Sequence, residues 1–281
     1  MKVLRKAFDL FLFSSFYISL CAVLMVYQTY HLLLNSSPFL PLLLFVFFST
    51  VCSYNFHWYL TPGFVTTSRR VVWTQNHKTL HLLLYLAGLS GSVYCFFLLK
   101  DHWLAIFFAA LVTFLYSAPK IPQSFFRDLK KIAVGKTLFL SLVWMYSTTI
   151  LPVAVSGVPW KPAFTLFAIS RFLLVYAICI LFDYRDRADD KKEGIRSMIT
   201  YFNEKGIDSL FILSLLGFAA VTITLYEYAY TFQTIILLLI PGLLTAALYR
   251  YAKKNFSDYL YYFVLDGLMM LSGLLMLVAR I

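Results

Sequence analysis

Charged residues are scarce in this chain. Asp, Glu, Lys and Arg together make up 13% of the 281 residues, whereas 61% are hydrophobic. A soluble domain of this length cannot bury so much apolar surface, so the composition excludes a water-soluble globular protein and predicts that lipid is the solvent. Acidic residues are especially sparse in the first third, where none occurs between Asp9 and Asp101.

Cysteine is also rare, and its spacing does not suit metal or redox chemistry. The four cysteines, Cys21, Cys52, Cys95 and Cys179, include no CxxC pair and all lie in apolar stretches. This pattern is typical of buried thiols, and it argues against a disulfide framework or a zinc site. The net charge of +11 does not indicate nucleic-acid binding either, because the basic residues are spread over the N-terminus and four separate loops.

Long apolar runs make up most of the sequence. A helix needs about 20 apolar residues to cross the hydrocarbon core, and continuous runs favour helices over a barrel, whose strands alternate. We therefore predict an all-α membrane protein with a single transmembrane domain, residues 1–281, of about nine helices. The first span is too long for a cleaved signal segment, so we expect it to be retained. The predicted spans are 9–33, 38–60, 80–99, 102–118, 137–157, 163–183, 207–226, 231–249 and 259–279.

The positive charges predict the orientation of these spans. Of the 24 Lys and Arg residues, 20 fall in the N-terminus and in the loops after the second, fourth, sixth and eighth spans. Such loops face the cytoplasm by the positive-inside rule. We expect a cytoplasmic N-terminus, an external C-terminus and a bacterial inner-membrane location, with function concentrated on the cytoplasmic face. The same charges favour anionic lipid headgroups and phosphate-bearing substrates.

The densest group of acidic residues follows the sixth span. Five of the 13 Asp and Glu residues lie within 183–194. If the span continues as a helix, Asp183, Asp186 and Asp190 lie within about 60° of one another on one face. Carboxylates so placed repel unless a cation lies between them, and oxygen ligands with room for water suit Mg²⁺. The alternative is a solvated loop in which the acids pair with Arg185, Arg187, Lys191 and Lys192.

The acidic segment resembles the second aspartate-rich motif of the UbiA superfamily of intramembrane prenyltransferases, through the spacing Asp183-x-x-Asp186-x-x-x-Asp190-x-x-x-Gly194-Ile195-Arg196-Ser197. The resemblance implies a nine-helix bundle around a central cavity open to the cytoplasmic side. It also implies transfer of an isoprenoid chain from its diphosphate to an acceptor, often an aromatic ring. Weaker similarities are Tyr116-Ser117-Ala118-Pro119-Lys120 after the fourth span, the basic loop residues Arg69 and Arg70, and Asp266.

The chain departs from the family at the end of the second span. Fuller forms of the family's first motif read Asn-Asp-x-x-Asp-x-x-x-Asp. Here Asn55 remains, but the three aspartate positions hold Phe56, Tyr59 and Gly63. The family's usual pair of metal clusters therefore cannot form from these two helices.

The resemblance implies that Asp183, Asp186 and Asp190 are catalytic and that Asp186 and Asp190 hold Mg²⁺. It implies an isoprenoid diphosphate and a membrane-soluble acceptor as partners, in contact with membrane lipid. The lost first motif leaves an alternative open, in which the protein is a non-catalytic UbiA-like isoprenoid-binding, lipid-binding or scaffold protein. The residues expected to bind substrate are Asn55, Arg69, Arg70, Lys120 and Arg196.

Arg171 lies in the middle of the sixth span, where a charge is costly and usually faces a partner or a cavity. It is roughly 18 Å along the helix from Asp183 and points away from the carboxylate face. A structural pairing is therefore favoured over contact with substrate. Asp266 shares a predicted helix face with Tyr259 and Tyr262, which indicates a polar stripe in the ninth span.

Overall fold

The structure is a computed structural model, and it describes residues 2–61, 68–117, 136–192 and 198–279. Within these ranges the chain is helical and contains no strand, which confirms the predicted all-α class. The α-helices are Lys2–Phe13, Phe16–Thr29, Leu40–Tyr59, Arg69–Asn76, Lys78–Leu98, Trp103–Ser117, Lys136–Met145, Leu151–Ser156, Pro162–Lys192, Met198–Tyr201, Glu204–Thr224, Phe232–Ala252 and Asp266–Ala279. Tyr30–Leu34, Tyr146–Ile150 and Leu260–Leu265 are π-helical, and Lys100–His102 and Leu225–Tyr228 are 3₁₀ turns.

Eight helical segments of the described chain are long and apolar enough to cross a membrane. They correspond to eight of the nine predicted spans. The predicted fourth span, 102–118, corresponds to Trp103–Ser117, which is apolar but contributes only 15 described residues. The chain is thus an integral membrane protein.

The predicted first span begins too early. Residues 9–13 belong to a separate N-terminal helix, Lys2–Phe13, and the membrane span begins at Phe16. The helices are separated because Ser15 adopts a left-handed conformation with φ 71°, which an α-helix cannot continue through. Ser14 and Ser15 are weak breakers between two apolar runs, so hydropathy alone does not reveal this boundary.

The helix Pro162–Lys192, called here the central helix, lies in the middle of the bundle. Its most apolar window is 72% buried inside the protein, compared with 17% for Lys78–Leu98. It packs against Lys136–Met145 and Glu204–Thr224. The helix continues past Phe182 to Lys192, so Asp183, Asp186 and Asp190 lie on helical backbone and not in a loop.

A short helix, Arg69–Asn76, follows the second span and is called here the loop helix. Ser68 begins it, because its Oγ accepts a hydrogen bond from the Val71 N–H at 3.2 Å and satisfies one of the free donors of the first turn. On the C-terminal side of the bundle, the π-helical segment Leu260–Leu265 leads into Asp266–Ala279. These elements meet the central helix at the candidate site.

Candidate functional site

The loop helix is tied to both ends of the chain. Arg69 donates to the Asp9 carboxylate of the N-terminal helix at 2.5 Å, and the Tyr259 hydroxyl donates to the same carboxylate. The hydrogen bond with Asp9 raises the pKa of Arg69. The backbone N–H of Arg70 donates to Asp258 at 2.9 Å. These contacts fix the loop helix so that Arg69 lies toward its partly exposed side and Arg70 lies inside.

Arg70 is almost fully buried, with 3% of its surface exposed. Its guanidinium carbon lies 4.2 Å from the Trp58 ring centroid and 4.1 Å from that of Tyr262. Its Nε and Nη2 are buried and have no hydrogen-bond partner in the described parts of the chain. Burial lowers the pKa of Arg70, and Tyr262, Asp266 and Asp258 offset part of that effect. A buried N–H group without a partner costs about 1–3 kcal/mol, so these donors require an explanation.

A second arginine reaches the same tyrosine from the central helix. Arg185 donates from Nη2 to the Tyr262 hydroxyl at 2.9 Å, and its guanidinium carbon lies 4.9 Å from the Tyr262 ring centroid. Its Nε donates to the Asp186 carboxylate at 2.8 Å. Its Nη1 is buried and has no hydrogen-bond partner among the residues with defined placement.

The three aspartates of the central helix have different surroundings. Asp183 is buried and accepts a hydrogen bond from Thr137. Asp186 is partly exposed and forms an ion pair with Arg185. Such pairing of the acids with neighbouring basic residues is what the solvated-loop alternative expected. Asp190 is buried, with 6% exposed. All three lie on a helix, and the burial of Asp183 and Asp190 does not agree with a solvated loop.

Asp186 and Asp190 are one turn apart and offer oxygen ligands to a metal. Among the described residues no group of three or more His, Cys, Asp or Glu side chains is placed to hold an ion. Mg²⁺ needs no such cage, because it usually keeps several waters and binds through one or two carboxylates and substrate phosphates. The donor set at Asp186 and Asp190 therefore fits one Mg²⁺ completed by substrate and water.

Asn55 does not offer its amide to a ligand. The side chain is fully buried; Nδ2 donates to the backbone oxygens of Ser14 at 3.0 Å and Val51 at 2.8 Å, and Oδ1 lies 2.7 Å from Nδ1 of His81. Its contacts hold the second span against the break after the N-terminal helix. Lys120 and Arg196, the other predicted substrate-binding residues, lie outside the described residues.

The structure thus places Arg70 and Arg185 around Tyr262, and Arg185 is also the partner of Asp186. It adds residues that the sequence did not single out. Trp58 lines this site from the second span, and Asp258 holds the backbone of Arg70. No sequence signal marks Asp258, because its contact spans 188 residues. For Arg185, the sequence feature that points to the site is its position between two motif aspartates.

Arg171 belongs to a different polar cluster. Its Nη1 donates to Thr29 Oγ1, the Thr148 carbonyl and Thr149 Oγ1 at 2.6–3.0 Å, and its Nη2 donates to Gln28 Oε1 at 2.8 Å. These partners are neutral, and they come from the first span and from the π-helical segment Tyr146–Ile150. The contacts agree with a structural role for Arg171.

A family model described as the UbiA prenyltransferase family matches residues 65–265. The match includes the loop helix and the acidic segment and begins after Asn55. No curated protein and no solved structure matches the chain.

Proposed function

The chain belongs to the UbiA prenyltransferase family, and we propose that it transfers an isoprenoid chain from its diphosphate to a lipid-soluble or aromatic acceptor. One observation carries the proposal: Arg70 lies near the acidic segment of the central helix. Arg70 packs on Tyr262, and Tyr262 accepts a hydrogen bond from Arg185 of that segment. Two N–H donors of Arg70 are buried and have no partner among the described residues. Guanidinium groups bind phosphate through parallel hydrogen bonds, so this arrangement suits a diphosphate substrate.

The reaction breaks the bond between the allylic carbon and the diphosphate oxygen, and the electron pair leaves with the diphosphate. A new bond then forms between that carbon and the acceptor, which gives up a proton. Asp186 and Asp190 would hold Mg²⁺, with Asp183 assisting, and the ion would supply positive charge that stabilises the leaving diphosphate. Arg70, Arg69, Lys120 and Arg196 bind the diphosphate.

Asn55 contributes indirectly, through its hold on the second span. The aromatic faces of Trp58 and Tyr262 lie against the Arg70 guanidinium and stabilise its positive charge. The site faces the cytoplasm of a bacterial cell, with the N-terminus inside and the C-terminus outside the inner membrane.

The test is turnover by purified protein in nanodiscs with Mg²⁺ and isoprenoid diphosphates of several chain lengths, against a panel of quinoid, phenolic and lipid-alcohol acceptors. We expect prenylated product, and at least a 100-fold loss in Asp186→Asn and Asp190→Asn, since each removes a proposed metal ligand. Asp101→Asn is the matched control, because Asp101 lies in the exposed turn Lys100–His102. Binding of isoprenoid diphosphate without turnover for any acceptor would favour the non-catalytic alternative.

A further inference from the structure

The N-terminal helix Lys2–Phe13 carries an exposed apolar face. Val3 is 80% exposed and Leu4 is 77% exposed. By helical geometry the face spans about 120° of the helix surface. Exposed apolar area costs free energy in water, and a contiguous patch of it is typical of a contact with a partner or a membrane. The residues of this face are Val3, Leu4, Ala7, Leu10 and the half-buried Phe11.

The opposite face of the helix is fixed against the protein. Asp9, Leu12 and Phe13 are buried there. The Asp9 carboxylate accepts hydrogen bonds from Arg69 of the loop helix and from the Tyr259 hydroxyl. The apolar face is therefore held pointing away from the bundle.

The N-terminal helix adjoins a surface that lipid covers. Phe8 packs edge-on against Phe263, with ring centroids 5.2 Å apart. Phe263 and Val264 lie near the start of the membrane span Leu260–Ala279, and both are exposed on its outer side. Because the outer side of a span faces acyl chains, the N-terminal helix lies beside the end of that lipid-facing surface, where acyl chains meet headgroups.

The charge of the helix also suits this position. Arg5 and Lys6 are exposed and lie outside the apolar face. Asp9 is the single acidic residue of the helix, and it is buried and paired with Arg69. The exposed charge of residues 3–13 is therefore positive. Lysine and arginine stems lie along apolar surface while their charged ends reach the headgroups, where anionic phospholipid attracts them.

We propose that the N-terminal helix binds the bilayer surface on the loop-helix side, with its apolar face in the acyl chains and with Arg5 and Lys6 on the headgroups of anionic phospholipid. Helices that are apolar on one face and basic on the other lie in the plane of the membrane interface. The inference goes beyond prenyl transfer and does not depend on it. Because Asp9 joins the same helix to Arg69, lipid that holds this helix also stabilises the position of the loop helix.

The first test places a fluorophore on each face of the helix. Leu4 and Lys6 are both exposed, and they lie about 160° apart around the helix axis. Leu4→Cys and Lys6→Cys are therefore a matched pair. Each full-length variant is labelled with a nitrobenzoxadiazole dye, placed in nanodiscs that contain phosphatidylglycerol, and quenched by lipids with a nitroxide on the acyl chain.

We expect quenching to be at least about three-fold stronger in Leu4→Cys than in Lys6→Cys, because the apolar face of an interfacial helix lies below the headgroups. Unsubstituted protein taken through the same labelling corrects for the native cysteines, of which Cys52 is half-buried and the other three are buried.

The second test measures lipid affinity by native mass spectrometry of the full chain titrated with phosphatidylglycerol. One basic residue near an anionic surface contributes about five-fold in affinity, so Arg5→Gln combined with Lys6→Gln should weaken binding at least about ten-fold. Binding of phosphatidylcholine should not change. Arg250→Gln combined with Lys254→Gln is the matched control, because it removes two exposed positive charges at the end of another helix.

Equal quenching in the two labelled variants would overturn the inference, and so would an equal loss of phosphatidylglycerol affinity in the two double variants. Quenching in Leu4→Cys that disappears when a nanodisc holds two copies would assign the apolar face to a second copy of the chain. Neither test measures prenyl transfer, so an inactive protein leaves this inference standing and a failed lipid contact leaves the proposed function standing.

Discussion

The imidazole Nδ1 of His81 lies 2.7 Å from Oδ1 of Asn55, and both side chains are fully buried. The Asn55 amide nitrogen donates to two backbone oxygens, so its orientation is determined by its neighbours. Oδ1 can only accept, which places the proton on Nδ1 of His81. One amide thereby connects the second span, the third span and the break after the N-terminal helix.

We predict that Asn55→Ala destabilises the protein. The change removes three hydrogen bonds and leaves the buried Nδ1–H of His81 without an acceptor, which should cost about 1–3 kcal/mol. Thermal unfolding in detergent measures the loss. Asn255→Ala is the control, because Asn255 is partly exposed and its amide donates to the Tyr251 hydroxyl at the surface. A variant of unchanged stability that has lost diphosphate affinity would instead support direct contact between Asn55 and substrate.

We predict that Arg171→Lys also lowers stability. Arg171 donates to four neutral oxygens from the two terminal nitrogens of its guanidinium group, and a lysine ammonium is a single centre that cannot reach them all. The acceptors left without a donor should lower the free energy of unfolding by about 1–3 kcal/mol. Unfolding in detergent is again the measurement, with Arg250→Lys as the exposed control. Wild-type stability combined with altered donor chain-length preference would contradict the structural role.

Local patterns of the sequence predicted the helices well, because apolar runs of span length have few alternatives in a membrane. The central helix continues to Lys192, which is the condition under which the sequence places Asp183, Asp186 and Asp190 on one helical face. The break at Ser15 was missed because a left-handed residue between two apolar runs has no strong composition signal.

The candidate site was only partly predictable, because its geometry depends on contacts between distant residues. Asn55 was assigned to substrate from its motif position, whereas its partner His81 lies 26 residues later on another helix. Arg185 was considered only as a counterion; that pairing with Asp186 is present, but its contact with Tyr262 spans 77 residues. No spacing rule predicts such contacts without the fold.

We predict that Asp9→Asn weakens diphosphate binding without abolishing catalysis. Asp9 anchors the loop helix through Arg69 and Tyr259, so its loss should loosen the helix that presents Arg70. Because the change does not touch the acidic segment, we expect KM for the isoprenoid diphosphate to rise about three- to ten-fold while kcat changes less. Steady-state kinetics at saturating acceptor measure the split. A fall in kcat at unchanged KM would show that Asp9 acts on the chemical step.

We predict that Gly88→Ala destabilises the pair formed by the second and third spans. A Cβ at Gly88 would lie 2.7 Å from the Cys52 nitrogen and 2.8 Å from the Phe48 oxygen, and backbone atoms cannot move aside without shifting the helix. Small residues permit this close approach of helices in membranes, where apolar burial does not drive association. Overpacking at such a contact should cost about 1–3 kcal/mol.

Gly217→Ala is the matched control for that substitution. Its Cβ would lie 3.2 Å from Leu173 Cδ1, the end of a flexible side chain that can rotate. Alanine also favours the helix over glycine by about 0.5–1 kcal/mol, so this variant should unfold at or above the wild-type temperature. Because both changes add one methyl group to a membrane helix, equal loss of stability in the two variants would contradict the assignment of the Gly88 effect to backbone contact.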